Sequence, residues 1–222
     1  MADNLSIDRR TSALLVMDFQ TLIVDNYAAG AEALLDRTAK LIAAARTAGM
    51  RVIYVVVGFR AGYPEVSERN ATFNGLKASG AFAAGAENVK IHPAVAPLAE
   101  EIVVTKHRVS AFAGTDLDLV LRANGIETLI LTGIVTSGVV LSTLRHAADA
   151  DYRVLVVGDC CSDRDEEVHR VLLEKVFPRQ ATITTAAAVA QATGGWAVDA
   201  VTAPHPSHRQ ALSPSSTERT RA

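Results

Sequence analysis

Short apolar runs alternate with longer amphipathic stretches along most of the chain. The apolar runs are rich in Val, Ile and Leu and have no polar face, which is typical of strands buried on both sides of a parallel sheet. The stretches between them repeat their apolar positions every three or four residues, as helices that cover such a sheet do. The pattern predicts six strands, at 13–17, 51–57, 102–105, 128–134, 153–157 and 181–184.

The predicted helices lie between these strands, at 30–48, 115–124, 137–150, 165–176 and 186–192. Gly49 follows the first of them and is expected to end it in the left-handed conformation. The long segment 58–97 has little periodicity, which predicts a loop with short helices at the edge of the sheet. The expected fold is a three-layer α/β/α domain with a six-stranded, mostly parallel, Rossmann-like sheet.

The composition supports one sizeable domain followed by a tail. Of the 222 residues 49% are hydrophobic, which is enough to build a single large core. After Trp196 the chain is rich in Pro, Ser and charged residues that cannot bury enough apolar surface to become ordered. We therefore expect a domain at 1–196 and a flexible tail at 197–222.

Charge and cysteine content exclude several classes of function. The chain has 22 basic and 24 acidic residues, so nothing in its net charge favours nucleic acid or an anionic membrane. No apolar run reaches the roughly 20 residues that span a bilayer. The two cysteines, Cys160 and Cys161, are adjacent and cannot form a useful intrachain disulfide. A reduced, cytoplasmic protein is expected.

Polar residues stand where three of the predicted strands end. Asp18 follows the first strand, Lys106 the third, and a small-residue turn at 135–138 the fourth. The carboxyl ends of parallel strands share one edge of a sheet, where ligands bind. A carboxylate beside an ammonium group can act as a general acid–base pair, and backbone N–H groups of the turn suit a developing oxyanion. The helix after the turn opens with Val139, which cannot act as a nucleophile.

Four segments, taken in order, carry a resemblance to a known family: LLVMDFQ at 14–20, TKHRVSAFAGTDL at 105–117, the run at 129–159, and VFPRQATITT at 176–185. Over roughly residues 12–188 the chain resembles the isochorismatase-like hydrolase superfamily, also called the cysteine hydrolases. The resemblance implies hydrolysis of a small organic substrate and assembly as a homodimer or homotetramer.

The resemblance also implies roles for individual residues. Asp18 would be the general acid–base and Lys106 its partner. The turn after the fourth strand would contain a non-proline cis peptide, and its residues are Ile134, Val135 and Thr136. The backbone N–H groups of Val135 and Val139 would line the oxyanion hole.

Val139 departs from the family pattern, since the family's amidases carry their nucleophilic cysteine there. In isochorismatases this position is usually glycine, and the reaction is acid-catalysed hydrolysis of a vinyl ether. Three hypotheses remain open. The protein is a hydrolase that uses Asp18 and Lys106 without a cysteine nucleophile, an inactive member that binds a small molecule or acts as a scaffold, or an amidase with a substitute nucleophile at Ser137 or Cys161.

The residues near these strand ends and in the long loop are expected to form the substrate pocket; they are Phe19, Gln20, Arg60, Tyr63, Asn70, Phe73, Phe112 and Ser137. The loop residues could equally pack on themselves or on another subunit, and Ser137 also suits a helix N-cap. Members of the family that bind a metal use Asp and His after the second strand, and residues 57–65 contain neither. We therefore expect no catalytic metal and no cofactor.

Overall fold

The computed structural model describes residues 5–28 and 30–194. The predicted tail at 197–222 lies outside the described residues, and so does Trp196. The described chain forms one sheet of six parallel strands in the order β3-β2-β1-β4-β5-β6. The strands are β1 (Ser12–Met17), β2 (Arg51–Val57), β3 (Ile102–Lys106), β4 (Thr128–Ile134), β5 (Arg153–Ser162) and β6 (Thr182–Thr184).

Helices cover both faces of this sheet. In the described residues they are α1 (Thr21–Tyr27), α2 (Ala31–Thr47), α3 (Ala71–Ser79), α4 (Leu117–Ala123), α5 (Leu141–Asp149), α6 (Glu166–Val171) and α7 (Ala186–Thr193). None of them is long and apolar enough to cross a membrane. The predicted α/β fold with a six-stranded sheet is confirmed, and the sheet is entirely parallel where a mostly parallel one was expected.

The strands lack a polar face because alternate residues enter two separate cores. In β1, Leu14 and Val16 pack in the cluster that contains residues of α2 and α7. Leu15 and Met17 pack in the other cluster, with residues of α4 and α5. Successive side chains of a strand point to opposite faces, so an apolar run that feeds both layers is continuous.

Several element boundaries differ from the predicted ones. The sequence pattern missed α1, and β5 runs to Ser162, beyond the predicted end at 157. The extension forms because the register between β4 and β5 shifts after Leu131, so that Gly133 then pairs with Cys161. The segment 58–97 contains α3 and two short 3-10 turns, in line with the expected loop with short helices.

The strand order reverses between β1 and β4, which are neighbours although they are distant in sequence. In open parallel sheets the chain leaves the two strands at such a point in opposite directions and opens a crevice at their carboxyl ends. Asp18 begins the connection after β1, and Val135 begins the one after β4. The fold thus places both at the position where ligands bind in such sheets.

Gln20 holds the surrounding loops together. Its side chain is 1% exposed, and its Nε2 donates to the carbonyls of Val57 at 3.0 Å and Val89 at 2.6 Å. Its Oε1 accepts from the backbone N–H of Val57 at 2.8 Å. One amide therefore joins the start of α1 to the end of β2 and to the turn at Glu87–Val89.

We predict that Gln20→Ala lowers the free energy of unfolding by about 2–4 kcal/mol, because buried backbone groups of Val57 and Val89 lose their partners. Urea denaturation measures the change. Asn26→Ala is the matched control, since its amide on the same connection makes one exposed bond to the Leu22 carbonyl. Equal losses in the two variants would contradict this role for Gln20.

Candidate active site

A buried ion pair lies at the carboxyl edge of the sheet. The Nζ of Lys106 is 3.0 Å from Oδ2 of Asp18, and the two side chains are only 4% and 8% exposed. Lys106 is the last residue of β3, and Asp18 directly follows β1, with β2 between them. The length of the lysine side chain lets the pair form across the end of β2.

The two carboxylate oxygens of Asp18 have different surroundings. Oδ2 forms the ion pair with Nζ of Lys106. The same Nζ also donates a hydrogen bond to the carbonyl of Arg108 at 3.2 Å. Oδ1 is buried and has no hydrogen-bond partner among the described residues. Burial raises the pKa of Asp18, and the charge and hydrogen bond of Lys106 offset only part of that rise. Asp18 therefore has one oxygen bound to Lys106 and one buried oxygen without a partner among the described residues.

The backbone of Asp18 turns the chain sharply out of the sheet. Its φ is 61°, in the left-handed region, and its N–H still donates to the carbonyl of Val55 at 2.8 Å. A non-glycine residue is uncommon in this region, although Asp tolerates it better than most. The carboxyl group is thus fixed by both its backbone and its partner.

The turn after β4 lies tightly against β1. The peptide bond between Ile134 and Val135 is cis, and a widened helical turn at Thr136–Val140 follows it. A Cβ on Gly133 would stand 3.1 Å from the carbonyl oxygen of Met17 and 3.2 Å from Cγ1 of Val139. These distances are tighter than most real Cβ contacts, so a larger residue at 133 would require Met17 or the buried Val139 to shift.

The expected helix N-cap at Ser137 is wrong, because no side-chain hydrogen bond caps the turn at Thr136–Val140. The Ser137 side chain is exposed. Oδ2 of Asp163, just after β5, accepts the backbone N–H of Ser137 at 2.8 Å instead. Oγ1 of the buried Thr136 is 2.8 Å from Nδ1 of His169 on α6. Sequence reasoning missed Asp163 and His169, because only tertiary contacts bring them to the turn.

A cavity of about 180 Å³ lies at this ion pair. Most of its wall is apolar, and α1 and α3 supply five of the side chains. The residues that line it are Asp18, Ile23, Tyr27, Val57, Thr72, Phe73, Leu76, Phe82, Lys106, Val109, Ile134, Val135, Gly138 and Val139. The structure thus brings Asp18, Lys106, Phe73 and three residues of the turn after β4 to one cavity.

Several predicted pocket residues lie elsewhere. Phe19 is 1% exposed in the core on the α2 side of the sheet. Phe112 belongs to the opposite core, where it stacks on His146 with ring centroids 4.4 Å apart. Neither these side chains nor Thr136 and Ser137 line the cavity.

The long loop contributes less to the cavity than expected. Asn70 caps α3 by accepting the N–H of Phe73, and Tyr63 donates its hydroxyl to the carbonyl of Ala81 at 2.9 Å. Arg60 is exposed and pairs with Glu65 at 2.6 Å. Arg60 and Gln20 line a second cavity of about 590 Å³ beside β3, not the one at Asp18.

The structure identifies cavity residues that the sequence pattern did not, above all Ile23 and Tyr27 of α1 and Leu76 of α3. A sequence signal exists for Leu76 alone, because the Asn70 cap marks the start of its helix. In residues 5–28 and 30–194 no three His, Cys, Asp or Glu side chains are grouped so that they could hold a metal ion.

Neither cysteine lines the cavity. Cys160 and Cys161 are adjacent in β5 and enter the two different cores. Burial raises the pKa of the Cys160 thiol to about 12 and also raises that of Cys161. Both thiols are therefore protonated and shielded at neutral pH, which makes them poor nucleophiles.

Comparison with known proteins identifies the family. The isochorismatase domain family matches residues 12–188. The chain belongs to the isochorismatase family, whose members are hydrolases. It is 33% identical over 183 residues to the uncharacterized isochorismatase family protein YecD of Escherichia coli O157:H7, covering 81% of this chain and 94% of that protein.

Two further comparisons are informative. The chain is 35% identical over 176 residues to the ureidoacrylate amidohydrolase RutB of Variovorax paradoxus, covering 70% of each protein. The crystal structure of a cysteine hydrolase from Pseudomonas syringae pv. phaseolicola matches with a TM-score of 0.79 and 24% identity, covering 86% of this chain and 97% of that one. The structural match confirms the shared fold.

His169 should make stability depend on pH. Burial lowers its pKa below the ordinary value of 6.5, although the nearby Asp163 opposes the effect. Below about pH 6.5 the unfolded chain binds a proton here that the folded protein resists, so stability falls as the pH falls. We expect the melting temperature of the wild type to exceed that of His169→Gln most at about pH 8 and least at about pH 5. A difference in melting temperature between the two proteins that stays constant or grows as the pH falls would contradict this role of His169.

Proposed function

We propose that the protein is a hydrolase of a small organic substrate that works without a covalent thiol intermediate. Asp18 serves as the general acid–base, Lys106 orients it and balances its charge, and Val139 occupies the position of the family's nucleophilic cysteine. The observation that carries the proposal is the unpartnered oxygen of Asp18, a residue that belongs to a buried ion pair and lines a cavity.

The chemistry follows from the state of Asp18. A raised pKa brings the carboxyl group closer to the pH at which it can both take and give a proton. Oδ1 would take a proton from an attacking water molecule whose oxygen bonds to the electrophilic carbon. The same proton would then pass to the leaving atom as its bond to that carbon breaks, which restores Asp18.

The surroundings of the site disfavour a substitute nucleophile. Valine has no lone pair with which to attack a carbonyl group. Ser137 is exposed and outside the cavity lining, and Cys161 is buried in the core with a raised pKa. The amidohydrolase name of the Variovorax relative supports hydrolysis as the reaction class, and amides, ureides and vinyl ethers are the first substrates to screen.

The ion pair itself argues against a protein that only binds or serves as a scaffold. Burying two charges costs free energy that their attraction does not fully return, and the unpartnered Oδ1 adds to that cost. A binding protein would gain stability from apolar residues at these positions. Proton transfer to and from Asp18 during catalysis would explain why both charged residues are present.

Asp18→Asn should lower turnover by about 10²–10⁴-fold, because an amide cannot exchange a proton as the carboxyl group does. The melting temperature should stay within a few degrees, since the amide oxygen can still accept from Lys106 although it no longer balances the charge. Iodoacetamide should leave the wild-type rate unchanged. The control is Asp25→Asn, an exposed carboxylate on α1.

The measurement is turnover of the full chain on amides, ureides and vinyl ethers. Unchanged turnover in Asp18→Asn would remove Asp18 from the mechanism. A rate that iodoacetamide abolishes would favour the amidase with a substitute thiol. Ligand binding without any turnover would favour the inactive binding protein.

Val139→Cys tests whether this position faces the reacting atoms. Cysteine is smaller than valine, so it fits the space that the buried Val139 side chain fills. The new thiol lines the cavity and should react with iodoacetamide in the folded protein, whereas Cys160 and Cys161 should not. Mass spectrometry after timed exposure locates the adduct. If the introduced thiol is labelled no faster than the two buried native cysteines, no substrate reaches this position.

A further inference from the structure

We propose that Asp163 and His169 are positioning residues of the candidate active site. Asp163 follows β5 and His169 lies on α6, and both bind the first residues of the turn at Thr136–Val140. That turn forms part of the wall of the cavity at Asp18. The inference rests on the proposed function, because it takes this cavity as the place of the reaction. Neither residue lines the cavity, so both would act through the turn.

Asp163 is a buried carboxylate that is bound by backbone groups. It is 7% exposed. Its Oδ2 accepts the N–H of Ser137 at 2.8 Å, and its Oδ1 accepts that of Asp165 at 3.4 Å. No ion pair among residues 5–28 and 30–194 includes it. Because a buried charge is costly unless polar groups satisfy it, losing the shorter bond to Ser137 would cost free energy and is resisted.

The turn at Thr136–Val140 needs support from outside. The first N–H groups of a helix have no partner within it, and the valine that precedes the turn has no side chain that could cap it. The Ser137 side chain is exposed, whereas Oγ1 of Thr136 lies 2.8 Å from Nδ1 of His169. Two successive residues at the start of the turn are thus bound by Asp163 and His169.

An irregularity in the sheet brings Asp163 to the turn. Up to Leu131, β4 pairs with β5 in one register. Gly133 then pairs with Cys161, three residues further along β5 than the same register would give. Irregular pairing of this kind re-aims side chains next to active sites in many proteins. β5 therefore reaches Ser162 beside the end of β4, and the residue after it meets the turn.

The neighbours of the two bound residues face the cavity. Val135, Gly138 and Val139 line it together with Asp18, although the two residues between Val135 and Gly138 do not. A shift of the turn would therefore move this part of the wall relative to the Asp18 carboxyl group. A misplacement of about 1 Å can cost an enzyme about 100-fold in rate.

Labelling of a thiol in the turn tests the positioning without any substrate. The parent is the full chain with Val139→Cys, treated with iodoacetamide over a range of pH. The pH dependence gives the rate constant of the thiolate, so a change in the pKa of the thiol does not enter. Asp163→Ala removes the acceptor of the Ser137 N–H, and Thr136→Val removes the hydroxyl that contacts His169. We expect each to change the rate constant by at least about fivefold, because the reactivity of a thiol depends on its surroundings.

Two control variants separate positioning from a general loss of order. Asp163→Asn keeps an oxygen that can accept the Ser137 N–H, and its rate constant should stay within about twofold of the parent's. Asp165→Ala removes the cap of α6, where the carboxylate accepts two backbone N–H groups, and should also stay within about twofold.

Three results would overturn the proposal. The first is an unchanged rate constant in whichever of Asp163→Ala and Thr136→Val folds, as judged from the melting temperature. The second is a change in Asp165→Ala as large as that in Asp163→Ala, since the effect would then come from looser packing of α6. The third is an Asp163→Asn variant that behaves like Asp163→Ala, since the hydrogen bond to the turn would then not matter.

Turnover separates this inference from the proposed function. With Val139 in place, Asp163→Ala should lower kcat by at least about tenfold and change KM less, and Asp163→Asn should restore most of the rate. The expected labelling changes without turnover of any substrate would support the positioning and count against the proposed function. Turnover that depends on Asp18 but is the same in Asp163→Ala would overturn the positioning and leave the mechanism in place.

Discussion

The candidate site depends on the buried contact between Lys106 and Asp18. Their side chains come from opposite sides of β2, so the contact forms only when β1, β2 and β3 are in the correct register. A shift of β3 by one residue would turn Lys106 to the other face of the sheet and leave Asp18 as an unpaired buried carboxyl group. Register, burial and the charge state of the site are therefore linked.

The turn after β4 adds a second constraint from the other central strand. A side chain at Gly133 would crowd both Met17 and Val139, and Asp163 and His169 bind the first residues of the turn. The start of the turn is thus held by groups outside its own helix. A substitution at position 139 can change the chemistry of the cavity lining while the contacts of Asp163 and His169 with the turn remain.

The sequence predicted the features that depend on local patterns. Continuous apolar runs located all six strands, and the polar residues that follow them indicated Asp18, Lys106 and the turn after β4. A helix of seven residues such as α1 is too short to show a clear periodicity, and it therefore escaped prediction together with Ile23 and Tyr27.

Long-range contacts account for the remaining differences. Gln20 looked like a pocket residue, but its amide binds the backbone of Val57 and Val89, which no local pattern reveals. Phe112 belongs to the core with α5, although it lies only six residues after Lys106 in the sequence. β5 continues beyond the predicted end at 157 because of its shifted pairing with β4, a tertiary feature that no local pattern reveals.

The placement of the two cysteines has a practical consequence. Adjacent residues of one strand point into opposite layers, so the only thiols of the whole sequence lie in two separate cores. Alkylating probes should therefore find no reactive native thiol on the folded protein. A single cysteine placed on its surface would carry a fluorophore or spin label at one defined position without removal of the native pair.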